Sequence, residues 1–205
     1  MKPNINLYKN DKFIHLIKKW DVRENLVKET VLCPKLQNLL DEGFNYEDGT
    51  VTFKKLKDHT FNKKYDTDRT EYEARINRIA ILDYINGYRI GPIDNKTILI
   101  DQYSLCQTMK FCVEVIRSLK ILENINKVLL SVGVDEGEDI FSGEDEDSVV
   151  IPSCTFRFYL MRDTEVDCIS YWRMDEYIDA AIAIVINNII DADPMYFLEK
   201  LAEKK

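Results

Sequence analysis

Apolar residues recur along this chain at helical spacing in some stretches and at strand spacing in others. Phe13, Ile14, Leu16, Ile17 and Trp20 follow three- and four-residue steps behind Asn10-Asp11, which predicts a capped amphipathic helix. Asp21 with Glu24 reads as a second cap before Leu26 and Val27. Pro34 is placed to open a third helix through Leu36, Leu39 and Leu40, with Gly43 as its stop. Asp48-Gly49 lies between β-prone runs, so residues 44–53 are expected to form a hairpin. From Asp68, the spacing of Tyr72, Ile76, Ile79, Ala80 and Ile85 predicts one long helix ended by Gly87. The strongest helical period covers residues 101–122.

Strand patterns dominate further on. Val128–Val134 is a compact apolar run, expected to be a central strand. In Val149–Met161, Phe156, Phe158 and Leu160 alternate with Arg157 and Tyr159, the period of two that marks a strand. Val166–Trp172 reads as a further strand, joined to it by Arg162-Asp163-Thr164. Asp175 is expected to cap an apolar helix over residues 176–190, burying Ile178, Ala181, Ile182, Val185, Ile186 and Ile189. Asp193-Pro194 opens a last short helix. The economical architecture is α+β: a small antiparallel sheet within about residues 128–172, packed by helices 101–122 and 176–190, with a mainly helical N-terminal part. The chain then divides into 1–95, helical with the 44–53 hairpin, and 96–205, α+β with an acidic loop, or the two share one domain.

Composition excludes several classes. The chain has 205 residues, 45% of them hydrophobic, and only 12 are Gly or Pro, so low-complexity and fully disordered readings fail. No run approaches the roughly 20 apolar residues of a membrane helix, and the N-terminus lacks a signal-type apolar run. The net charge of −8 is unevenly spread. Residues 1–132 carry 22 basic and 18 acidic side chains, whereas 133–205 carry 6 and 18. That asymmetry steers charged partners and disfavours direct nucleic-acid binding. Five cysteines without a CxxC pair are expected to be free, mostly buried thiols in a reducing cytosol. No metal-ligand spacing is present, so neither metal nor cofactor is expected.

Three stretches are candidates for contact. Asp135, Glu136, Glu138, Asp139, Glu144, Asp145, Glu146 and Asp147 make residues 135–147 an acidic loop suited to a basic partner, although a solvated connector has the same composition. Lys54, Lys55, Lys57, Lys63 and Lys64 form a basic patch interleaved with aromatics, but no arginine is there for bidentate base reading. Arg157, Tyr159, Tyr171 and Trp172 belong to types that anchor interfaces and are expected on one strand face. The acids Asp66, Asp68, Glu71 and Glu73 cluster where a helix begins, a place that favours acids in any protein. His15 and His59 have no catalytic motif around them, and no catalytic residue is assigned.

The run Tyr177–Ile182 is similar to a helix of tailed-phage portal proteins, but the remainder of a portal is absent and no function follows. The expectation is a non-enzymatic, acidic, cytoplasmic interaction protein, of immunity or phage or viral inhibitor type, binding a basic surface of a protein partner. A structural subunit of a larger assembly, self-associating as a homo-oligomer, is the alternative. A carboxylate- or metal-dependent enzyme is the second.

Overall fold

The computed structural model describes residues 4–22, 31–57, 60–62, 66, 68–85, 102–122, 125–135 and 153–201. The predicted cap at Asn10 is present: its side chain accepts the Phe13 N–H at the start of helix α1 (Asp11–Lys19). Helix α2 (Pro34–Asp41) begins at its proline and is followed by Gly43 at φ +76°. Strands β2 (Phe44–Glu47) and β3 (Thr50–Phe53) pair across Asp48 and Gly49, at φ 52° and 73°. Two successive positive φ angles are what a two-residue hairpin requires, so the turn sequence sets this register.

The remaining strands build one antiparallel sheet. β1 (Ile5–Lys9), β4 (Ile79–Ala80), β5 (Val128–Asp135), β6 (Ser153–Leu160) and β7 (Ala180–Ile186) lie in the order β1-β7-β5-β6-β4. The fold class is α+β, and β5 is central as its apolar run predicts. The edge strands β1 and β4 both come from the first 95 residues, so that part shares its sheet with the C-terminal part. Among the described residues no helix is long and apolar enough to cross a membrane.

Several expectations need correction. Residues 180–186 are a strand, not the middle of a 176–190 helix. Ala180–Ile186 is buried at every position and pairs with β1 on one side and β5 on the other. A strand covered on both faces has no polar alternation, so its pattern cannot be told from a buried helix by period. The portal-like run is therefore strand in its second half. Val166–Trp172 is not a strand; it is irregular and passes into a 3-10 helix at Tyr171–Glu176. The long helix from Asp68 stops early as α3 (Arg69–Ile76), because Asn77 and the chain after it have other partners. Strand β1 was not foreseen at all.

One face of the sheet carries the large core. Phe156, Phe158, Val128, Leu130, Val132, Ile182 and Ile184 point toward helix α4 (Gln102–Leu119), and α5 (Pro194–Leu201) completes the cover. Phe53, Phe111, Phe156 and Phe158 form a chain of ring contacts with centroids 5.0–6.3 Å apart. Edge strand β1 is tied to the last helix by Lys9, whose Nζ donates to the Lys200 and Leu201 carbonyls at 2.9 and 2.7 Å. A cation at a helix C-terminus meets both the dipole and the carbonyls left unpaired there.

The hairpin docks through side chains. Val51 N–H donates to Glu73 Oε1 at 2.6 Å, Phe53 N–H donates to Asn77 Oδ1 at 3.0 Å, and Asn77 Nδ2 donates to the Val51 carbonyl at 2.8 Å. Helix α3 thus satisfies the free edge of β3, which would otherwise leave buried backbone groups unpaired. Glu73, fully buried, also accepts the Leu160 N–H at 2.8 Å, and so joins hairpin to sheet.

Candidate functional site

The second face of the sheet carries a smaller core. Leu129, Tyr159, Ala181, Ala183 and Val185 form a satellite core there, with Ile169 and Met174 lying over them. What covers this face is mainly the segment 162–179, joined by Ala74 of α3.

Polar anchors at both ends hold that segment. At the near end Arg162 forks onto Glu73, with Nη1 and Nη2 at 3.0 and 2.8 Å from its two oxygens, and Nη2 also donates to the Gly49 carbonyl at 2.6 Å. Burial pushes the Glu73 carboxyl up, opposed by Arg162 and the two backbone donors. Glu165 accepts the Thr70 N–H at 2.8 Å and the Thr70 hydroxyl at 2.7 Å. Asp68 accepts the Glu71 N–H at 2.7 Å, so the N-terminus of α3 is capped both locally and from a distant segment. Burial would raise Glu165, but the Thr70 hydrogen bonds and Arg162 bring it below the usual carboxylate range. At the far end Asn10 Nδ2 donates to the Asp179 carbonyl at 2.6 Å, and its Oδ1 accepts the Ala181 N–H at 3.0 Å.

Between these anchors the 3-10 turn buries Met174 and turns other large side chains outward. Tyr171 packs on Tyr8 with centroids 4.9 Å apart, and Trp172 stands edge-on to Tyr171 at 5.0 Å. Trp172 is 60% exposed and Ile178 74%, with Val166 and Tyr177 exposed on the same segment. Asp163, Asp175, Glu176 and Asp179 are exposed among them. Arg173 pairs with Glu176 through Nε at 2.6 Å.

Beside this patch lies an open cleft of about 570 Å³. Asp68, Glu71, Arg75 and Arg78 contribute from α3 and the turn after it, Arg157 from β6, and Asp167 and Cys168 from the covering segment. Arg75 is paired with Asp66 at 3.1 Å. Burial and then the like charge of Arg78 lower Arg157 from the ordinary arginine value. Burial, followed by the Asp68 charge, pushes the Cys168 thiol up to about 11, which leaves it protonated and a poor nucleophile.

The predicted contact residues are dispersed by the fold. Tyr159 is fully buried, its hydroxyl oxygen accepting the Ile169 N–H at 3.3 Å, so it is core and not contact surface. Tyr171 and Trp172 lie in the covering segment rather than on a strand, while Arg157 faces the cleft. Lys55 pairs with Glu42 at 2.7 Å and Lys57 pairs with Glu47, so this part of the basic patch is internally neutralised; Lys63 and Lys64 lie outside the described residues. Of the acidic loop only Asp135, at the end of β5, is described; Glu136, Glu138, Asp139, Glu144, Asp145, Glu146 and Asp147 lie outside. Cys33, Cys106, Cys112 and Cys154 are buried free thiols, and among the described residues no cluster could hold a metal ion. Arg75 and Arg78 carry no signal of a site in the sequence, since two arginines three apart in an expected helix mark only a shared face, and the structure places Arg78 in the turn after α3.

Comparison with known protein families matches residues 9–192 to the one described as Uncharacterized protein PM0498 family. No curated protein and no solved structure matches the chain.

Proposed function

The chain belongs to the Uncharacterized protein PM0498 family, and from its surface we propose that it is a non-enzymatic interaction protein, of inhibitor or immunity type, acting in the cytosol. The contact patch is the covering segment 162–179, and the partner is a protein with a basic surface. The observation that carries this is Trp172, a large aromatic left 60% exposed on a backbone anchored at both ends. Interfaces concentrate their binding energy in such aromatic anchors, and a rigid mount lowers the ordering cost of docking. The exposed acids around it supply a rim that selects a basic partner and speeds encounter. The acids of residues 135–147 give the chain further charge of the same sign.

The test is a photo-crosslinking residue placed at position 172, with a second placed at Lys35 on α2 as a remote control. Expression in the native host should give a discrete protein adduct from position 172 and none from position 35, weakening as salt rises. Equal labelling from both positions, or none, would sink the proposal. An adduct containing only a second copy of this chain would replace it with the structural-subunit alternative.

A further inference from the structure

Among the described residues, Nε of Arg157 is the only buried side-chain nitrogen or oxygen without a hydrogen-bond partner. Buried donors are paired in the great majority of cases, so an orphan facing a cleft calls for an acceptor. Arg157 lies opposite Ser131 in the β5–β6 register, and a Cβ added at neighbouring Gly133 would meet nothing within 4 Å. The small side chains of this face thus leave room around the guanidinium. Arg78 lines the same cleft as a like charge, and among the described residues neither arginine has a carboxylate within ion-pair distance. Two guanidinium groups brought together without a counter-ion repel each other, and one anion between them removes both defects.

The cleft is not purely cationic. Glu71 and Asp167 also line it, and burial raises Asp167 above its usual range. A dianion such as phosphate would meet these carboxylates as like charges, whereas a ligand carrying both signs satisfies both sets. Ala74 and Val166 add an apolar wall, and about 570 Å³ exceeds what a bare ion fills.

We propose that the cleft binds a small zwitterion of the α-amino-acid class, its carboxylate held by Arg157 and Arg78 and its ammonium directed to Glu71 and Asp167. The cleft shares Val166, Asp167 and Cys168 with the covering segment, but Trp172, which carries the docking reading, does not line it, and the orphaned Arg157 donor is a separate observation.

Calorimetric titration of the full chain with the free α-amino acids tests it, with propionate, propylamine and inorganic phosphate as probes carrying one sign of charge. At least one amino acid should bind, and propionate and propylamine should each bind about tenfold or more weakly, the loss expected for one missing charge-assisted contact. Arg157→Gln should abolish the binding, and Arg78→Gln, at an exposed position, should weaken it about tenfold without touching the fold. Should Arg157→Gln fail to fold, the Arg78 variant decides alone. Absence of binding by every amino acid would mean that water alone serves the orphaned donor and would overturn the proposal. So would phosphate or propionate binding as tightly as any amino acid, or an Arg78→Gln variant with the parent's affinity.

Discussion

The two faces of the sheet are covered by opposite means. On one, Phe156, Phe158 and the β5 and β7 aliphatic residues meet a long amphipathic helix, and contact is apolar and continuous. On the other, a smaller core meets an irregular segment held by Arg162, Glu165 and Asn10. Apolar burial is non-directional and tolerates a generic helix, whereas a segment without a regular element must have its backbone fixed group by group. A cover pinned at a few polar points leaves its remaining side chains free to face outward, and the exposed Trp172 and the cleft both lie on that side.

The largest loss of stability is expected at the apolar face. Phe158→Ala should destabilise the chain by about 3–5 kcal/mol, measured by denaturant unfolding, through lost burial and the cavity left behind. If the loss is under about 1 kcal/mol, the first face is not the main core. Glu73→Gln should cost about 3 kcal/mol, since it removes the charge that Arg162 forks onto. It also turns one of the two oxygens that accept from Val51, Leu160 and Arg162 into an amide NH2, leaving Arg162 only its longer pair to Glu165 at 3.6 Å. Parental stability in that variant would show that apolar contact, not the ion pair, holds the cover.

A smaller effect separates the cover from the core by pH. The Glu165 carboxyl lies below its ordinary 4.5 when folded. Its contribution is therefore present above that value and lost as pH falls through the folded value. In a Trp20→Phe background, Trp172 fluorescence should report loosening of the cover below about pH 4.5, before global unfolding. Glu165→Gln should weaken that early step, at a cost of about 1–2 kcal/mol at neutral pH. A single cooperative transition, unchanged by the substitution, would contradict a separately tethered cover. The smallest effect is expected at Lys55→Ala, within about 0.5 kcal/mol, because its partner Glu42 is an exposed carboxylate.

Much of the first face was legible in the sequence. The α4 period, the alternation of β6 and the Asp48-Gly49 turn are local signals, and each element formed where its signal lay. The second face was not legible. Tyr159 alternates like a contact residue, yet it is buried because Ile169 and Met174 fold back over it. Ile5, Leu7 and Lys9 do alternate with Asn6 and Tyr8, a signal that could have revealed β1, although Lys9 finds its place only against the end of the last helix.

Local chemistry by itself determined the α+β class, the caps at Asn10 and Asp68, the hairpin and its turn, and the acidic bias of the last third, because each depends on residues a few positions apart. Only the tertiary structure decided that Ala180–Ile186 is a strand, since a continuous apolar run takes its conformation from what flanks it, here β1 and β5. It also decided which polar groups meet. Glu73 with Arg162, Glu165 with Thr70, and Arg157 with Arg78 are each separated by roughly 80 to 95 positions in the chain, and at that range charge pairing follows from the path of the backbone and not from any pattern in the sequence.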